Sequence, residues 1–263
     1  MRENGFVMSK LAKYGSATGN ALADIFVLEC RPGEFDAQKI VHLKSGEVLY
    51  SGISVIEYLY FPIDMIVSLT CDLSIGYSAE FTQIGCDGVV GISALMDGHA
   101  TRNTAIAQTS GRAYRVSAEV IRQSFDRSAN FRRVIMRYMQ ALMQESAQRI
   151  ACIRHHSILE QLCRTLLMAS DRMQSEHVNL TQEQLAVAIG CRREAVSVAA
   201  NKIQAAGLID YGYGKITILN RPGLEARACE CYAVLSQAFS EFLPRQSSVQ
   251  NHTCNHEGQT DEP

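Results

Sequence analysis

Residues 180–209, LTQEQLAVAIGCRREAVSVAANKIQAAGLI, set small, apolar and turn residues at the offsets a helix-turn-helix requires. Thr181 followed three residues later by Gln184 matches a capping box, which satisfies orphan amides at the start of a first helix. Leu185, Ala186 and Ile189 then form its inner face. Gly190 stands where the chain must turn sharply, and the small Ala186 lets two helices approach closely. Val196, Ala199 and Ile203 face back from a second helix, expected over residues 192–206. That leaves Arg192, Arg193, Glu194 and Ser197 at its outward N-terminal end, the part that enters the major groove of DNA in this motif. Arginine can donate two hydrogen bonds to O6 and N7 of guanine, and a carboxylate can accept from N4 of cytosine, so Arg193-Glu194 suits a G·C-containing step. A solvated helix start carrying an Arg-Glu surface pair would use the same residues. The coincidence of cap, small residue, turn and inner face favours DNA reading.

Leu208 and Ile209 lead into Tyr211 to Gly214 and the alternating run Lys215 to Leu219, which reads as two short strands joined by a glycine-bearing turn. This is a candidate wing. Tyr213 and Lys215, with Thr181, join the candidate DNA contacts; phosphate contacts give affinity and register without direct sequence information. A hairpin that merely closes the small domain accounts for Tyr213 and Lys215 equally well. The DNA module is expected to span residues 155–235.

Over most of residues 20–235 the chain resembles the Crp/Fnr superfamily of bacterial transcription regulators, most specifically at Gly190-Cys-Arg-Arg-Glu-Ala-Val196. The resemblance implies an α+β chain: a cyclic-nucleotide-binding-type β-barrel, a long dimerisation helix and a C-terminal winged helix-turn-helix. It also gives Arg193 and Glu194 the family's base-reading roles. Two departures stand out. Catabolite activators of the family carry a second Arg four residues after that Glu, where this chain has Val198; and Arg192 replaces the small hydroxyl residue that usually caps the recognition helix.

The 263 residues, 47% hydrophobic, suffice for two modest domains, and a formal net charge of −2 says nothing about partners. Nucleic-acid affinity must then come from local patches, and residues 121–172 hold nine Arg against four acidic residues. No apolar run approaches the ~20 residues that span a bilayer, and MRENGFVMSK lacks a signal peptide's plan, so a cytoplasmic protein without a membrane partner is expected. Nine unpaired-looking cysteines argue for reduced thiols, with Cys30, Cys71, Cys86, Cys152, Cys163 and Cys191 read as core filler. The N-terminal cysteine cluster with which oxygen-sensing members of the family hold an iron-sulfur centre is missing. Cys229-x-Cys231 with His252-x-Cys254-x-His256 offers enough soft ligands for zinc, but the spacing fits no familiar finger. Residues 236–263, rich in Ser, Gln, Asn and His after Pro244, read better as a disordered tail, so no metal or cofactor is expected.

Residues 1–20 show no period and are expected as a mobile arm. Residues 21–117 carry short segments rich in β-branched and aromatic residues, Val48 to Tyr50, Ile56 to Phe61, Ile66 to Cys71 and Ala79 to Ile84, punctuated by Gly and Pro. These are the strands of a sensor barrel or sandwich. Gly85, Gly88 and Gly91 form no dinucleotide fingerprint. The resemblance sets a phosphate-binding cassette after them, with a Gly-Glu pair for the ribose and an Arg-Ser pair for the cyclic phosphate. Here Gly91 is followed by Ile92, and Arg102 by Asn103. Ile92 cannot accept from the ribose hydroxyl, and burying that hydroxyl unpaired costs about 1–3 kcal/mol, so cyclic AMP is not the expected ligand. Gly91, Arg102 and Asn103 remain candidate ligand contacts, Arg102 being equally readable as a structural ion-pair partner.

Residues 118–154 change to a helical period, with Ile135, Met139, Leu142, Ser146, Ile150 and Ile153 three or four apart in one seam. Such a seam either packs on its own barrel or pairs with a second copy, and the resemblance favours the homodimer. A shorter helix, Ser157 to Met173, buries Leu159, Leu162, Leu166 and Leu167. The function expected is a non-enzymatic, sequence-specific DNA-binding transcription regulator that reads an inverted repeat in double-stranded DNA as a homodimer, with RNA polymerase as a further candidate partner. A ligand-binding sensor or adaptor without DNA binding is the competing reading. A metal hydrolase finds no HExxH-like spacing to support it.

Overall fold

The computed structural model describes residues 18–31, 39–52, 55–74, 76, 78–96, 102–212 and 214–241. Asn20 caps the first helix, α1 (Ala21–Glu29), by accepting from the amides of Leu22 and Ala23. Its own side-chain amide donates to the carbonyls of Pro62 and Gly88, each at 2.8 Å. Residues 18–20, expected as the end of a mobile arm, are therefore built into the barrel wall; 1–17 lie outside the described residues.

Seven strands follow: β1 (Lys39–Leu43), β2 (Val48–Tyr50), β3 (Tyr58–Pro62), β4 (Val67–Asp72), β5 (Ser78–Ile84), β6 (Asn103–Ala107) and β7 (Gly111–Ser117). They form two antiparallel sheets, ordered β1-β7-β3 and β2-β6-β4-β5. The four segments legible in the sequence became β2 to β5, shifted by at most two residues at an end. β6 and β7 escaped notice because, beside Thr104 and Val116, their buried positions are the alanines Ala105, Ala107 and Ala113, which carry no strand signal. These pack against Leu43, Met65, Val67, Leu69 and Ile84.

The single helix expected over 118–154 is two, α2 (Ala118–Arg127) and α3 (Ala129–His155). Ser128 divides them: its hydroxyl caps α3 by accepting from the Phe131 amide at 3.1 Å and donates to Glu29 at 2.6 Å. Phe131, Val134, Ile135, Tyr138 and Ala141 line the inner face of α3 against Phe26 and Phe61 of the barrel end.

The C-terminal module comprises α4 (Ile158–Met173), β8 (His177–Val178), α5 (Gln182–Ile189), α6 (Arg193–Ala205), β9 (Ile209–Gly212), β10 (Lys215–Ile218) and α7 (Arg221–Glu225). Its three strands run in the order β8-β10-β9. Leu162 and Leu166 of α4 meet Leu185, Val196, Ile203 and Ile216 in one apolar core. A last helix, α8 (Cys231–Glu241), runs back along α3 and α4 and brings Phe239 to the barrel-end core. Residues 236–241, expected in a disordered tail, are thus helical, because Ala238 and Phe239 have apolar surface to cover. Residues 242–263 lie outside the described residues. Among the described residues no helix is long and apolar enough to cross a membrane.

Where barrel, α3 and α4 meet, charges are sealed in. Glu145 of α3 is fully buried and accepts from Arg172 of α4 at 2.9 Å and from Thr82 of β5 at 2.8 Å. Arg149, one turn further along α3, pairs with Glu80 of β5 at 2.8 Å and donates to the carbonyl of Ala188 in α5 at 3.1 Å. Arg172 also pairs with Asp87 at 3.2 Å. Burial alone would raise the Glu145 carboxyl, yet the Arg172 and Arg149 guanidiniums hold it below the usual carboxylate range. The network joins four elements, and so sets how the C-terminal module sits on the barrel. It also corrects the arginine-rich stretch: of the nine Arg between 121 and 172, Arg149, Arg164 and Arg172 are at most 3% exposed and belong to the interior, not to a basic surface.

Candidate nucleic-acid interface

The capping box forms as the sequence implies. Thr181 Oγ1 accepts from the Gln184 amide at 3.2 Å, and Gln184 Oε1 accepts from the Thr181 amide at 2.8 Å. Gly190 ends α5 in the left-handed region at φ 76°, where a side chain would strain the backbone. Its amide donates to the Ala186 carbonyl at 2.8 Å. Arg192 is the cap residue of α6 and makes no capping bond with its side chain. The first turn of α6 therefore keeps amides free to meet an anion, with the helix dipole in support.

Arg192, Arg193 and Glu194 are all exposed at this helix start, and Ser197, one turn on, is half-buried. Among the described residues neither Arg193 nor Glu194 forms a salt bridge, so the Arg-Glu surface pair is not made. Arg193 is steered instead by Gln182, whose Oε1 accepts from its Nε at 3.4 Å while Gln182 Nε2 donates to Ser197 Oγ at 3.4 Å. Gln182 also hydrogen-bonds Tyr211 of β9, where burial raises the phenol. Sequence reasoning missed Gln182. Its signal was available, a long amide at the first helical position after the cap, but only the fold shows that this position overlooks α6.

β9 and β10 form the expected hairpin, pairing Lys215 with Gly212 and Ile218 with Ile209. Lys215 is exposed at the start of β10, and Gly214 turns at φ 76° with a Cβ position 3.5 Å from Thr181 Cγ2. Tyr213, the expected wing tip, lies outside the described residues. Thr181, Gln182, Arg193, Ser197 and Lys215 thus share one face. Val198 on the same helix is 56% exposed.

Residues 160–227 match the family model of the Crp-like helix-turn-helix domain. The fold as a whole matches FixK2 from Bradyrhizobium japonicum at a TM-score of 0.63 and 17% identity, over 73% of this chain and 98% of that one. It matches TTHB099, a CRP-family transcriptional regulator from Thermus thermophilus, at 0.59 and 21%, over 72% and 96%. TTHA1359, a CRP/FNR-family regulator from the same organism, matches at 0.57 and 22%, over 72% and 98%. Residues 160–227 thus form a Crp-like helix-turn-helix domain, in a chain that shares the fold of these regulators. No curated protein matches it in sequence.

The other expected sites lie outside the matched domain. Gly91 is buried at φ 92°, and a Cβ there would come within 3.2 Å of the Tyr58 carbonyl, so close backbone approach accounts for it. Ile92 packs on the barrel-end core, Arg102 is exposed, and Asn103 opens β6 opposite Cys71. Residues 97–101 between them lie outside the described residues. Of the expected dimer seam, Ile135 is 1% exposed and serves the chain's own core, and Met139 and Leu142 lean on the same core. Ser146 donates to the Leu142 carbonyl. The exposed apolar residues of α3 are Met136, Met143, Ile150 and Ile153, at 56%, 74%, 66% and 46%. The exposed stripe of α3 therefore keeps Ile150 and Ile153 of the expected seam but carries Met136 and Met143 in place of Ile135 and Leu142, because the helix must first cover the barrel end with Ile135. Finally, Cys229 and Cys231 do not stand alone. Their thiols converge with Cys152 and His156 from the end of α3.

Proposed function

We propose that this chain is a sequence-specific DNA-binding regulator that works in the cytoplasm as a homodimer on an inverted repeat. The observation that carries the reading is the exposed Arg193-Glu194 pair at the start of α6, without an ionic partner among the described residues and steered by Gln182 beside an exposed wing lysine. Arg193 would donate to guanine and Glu194 accept from cytosine. Arg192, Ser197 and Lys215 would meet phosphate or sugar, while the Thr181 hydroxyl, committed to its cap, contributes by holding α5. Tyr213 belongs to the same proposed set as the wing tip.

The dimer is supported by the outer face of α3. Met136, Met143 and Ile150 recur every seven residues, and Met139, Ser146 and Ile153 each follow three later, which is a heptad seam. A monomer would leave Met136, Met143, Ile150 and Ile153 in water. Two copies joined along it would present two recognition helices to half-sites about 34 Å apart. RNA polymerase is a further partner of this proposal, as is a barrel ligand held near Gly91, Arg102 and Asn103.

Selection from a random duplex library tests the reading: recovery of an inverted repeat with half-site centres about 10 base pairs apart is expected, and recovery without sequence preference would leave the adaptor reading. Native mass spectrometry of Met143→Asp completes it. A charge in the seam should turn dimer into monomer, and an unchanged dimer would put the interface elsewhere.

A further inference from the structure

Cys152 and His156 stand four residues apart on the last turn of α3 and so share a face. Across from them, Cys229 and Cys231 flank the start of α8. The four ligand atoms all lie within 4.8 Å of one another. Cys152 Sγ is 3.6 Å from Cys229 Sγ, and Cys231 Sγ is 3.5 Å from His156 Nδ1. Around a tetrahedral zinc, with Zn–S of about 2.3 Å and Zn–N of about 2.0–2.1 Å, neighbouring ligand atoms are about 3.6–3.8 Å apart. We propose that Cys152, His156, Cys229 and Cys231 form a structural zinc site that clamps the C-terminal helix to the end of the long helix.

The surroundings suit that ion. All three cysteines are at most 5% exposed and form a small cluster of their own, walled off from the larger cores. Gln148 Nε2 donates to Cys231 Sγ at 3.1 Å, and Glu230 Oε1 faces the outer nitrogen of His156 at 3.9 Å, the kind of second contact that orients metal ligands. Arg164 supplies the charge. It is 2% exposed, pairs with no carboxylate among the described residues, and leaves Nε without a hydrogen bond. It lies within electrostatic reach of Cys152 and Cys229. Zinc with three thiolates and a neutral imidazole carries one net negative charge, which this guanidinium balances. The thiol protons leave to the buffer as the metal enters. A multi-iron cluster would hold its cysteines on separate corners, whereas these donors converge on one point.

The position gives the site its consequence. His156 is the residue at which α3 ends, and Ser157 caps α4. A metal here bolts the segment that follows the DNA module to the joint that precedes it.

The full-length reduced protein, freed of metal and then titrated with zinc, should take up one ion per chain by native mass spectrometry. Cobalt(II) in its place should show thiolate-to-metal charge transfer and the visible bands of a tetrahedral ion. Cys231→Ser should weaken zinc by more than the ~10–100-fold that loss of an outer-shell contact brings. The variant His252→Ala/Cys254→Ser/His256→Ala should bind as the parent does. Circular dichroism would confirm that each variant is folded, and Cys229→Ser gives an independent second case. No uptake by the reduced chain, loss of uptake in the tail variant, unchanged uptake in both cysteine variants, or a Cys152–Cys229 disulfide in peptide maps of protein purified with zinc would each overturn the site.

Discussion

Arg149 and Arg172 at the junction of barrel and helices, and Arg192 and Arg193 at the start of the recognition helix, are the same residue put to opposite use. The first two are at most 3% exposed and answered by Glu80, Glu145 and Asp87. The second two are exposed and have no carboxylate partner among the described residues. Removing a guanidinium from water costs several kcal/mol; carboxylates and a carbonyl around Arg149 and Arg172 offset that cost, and the two then hold shape. An exposed one at a helix start keeps its donors for whatever arrives, and phosphate and guanine both suit a planar fork of N–H groups.

The comparison is most exposed to failure at Glu145. Glu145→Ala leaves Arg172 and Arg149 short of their shared carboxylate and should cost about 3–5 kcal/mol, read as a lower urea midpoint. A loss under ~1 kcal/mol would mean that water reaches the junction and that the two regions do not differ in kind. Acid probes the same group. Its folded pKa is depressed, so its contribution is present above the ordinary value of 4.5 and fades as pH falls through the lower folded value. Glu145→Gln should flatten that acid limb of the stability profile.

On the exposed side, Arg193→Ala should leave stability within about 0.5 kcal/mol of the parent, as surface changes do. Specific DNA affinity should fall by about 1–3 kcal/mol, with relaxed preference at one base pair per half-site. Equal weakening on specific and random duplexes would demote Arg193 to a phosphate contact. Lys215→Ala carries the smallest effect: a modest loss common to all sequences, and a salt slope shallower by about one per protomer. A sequence-dependent loss would move the wing from backbone to bases.

Much of the recognition module was legible without coordinates. The Thr181 to Gln184 box, the turn at Gly190 and the inner face at Val196 and Ile203 all depend on neighbours within a few residues. Short runs of β-branched and aromatic residues between glycines and prolines likewise located β2 to β5. The same local rules misjudged α3, where a three-four spacing is satisfied by two adjacent stripes, Ile135-Leu142 and Met136-Met143. Only the barrel end decides which of them is covered. β6 and β7 were illegible because small alanines in a packed interior leave no periodic signal.

The sequence by itself determined the helix-turn-helix, its outward Arg193-Glu194 pair and the strand-rich character of the N-terminal half, because caps, turns and periodicity act over a few residues of chain. Tertiary structure alone decided which arginines are interior, which face of α3 stays open, and that Cys152 meets Cys229 across 77 residues of sequence. Those outcomes rest on packing between distant segments, where burial turns a charge into a structural group and close approach turns scattered cysteines into a single set of ligands.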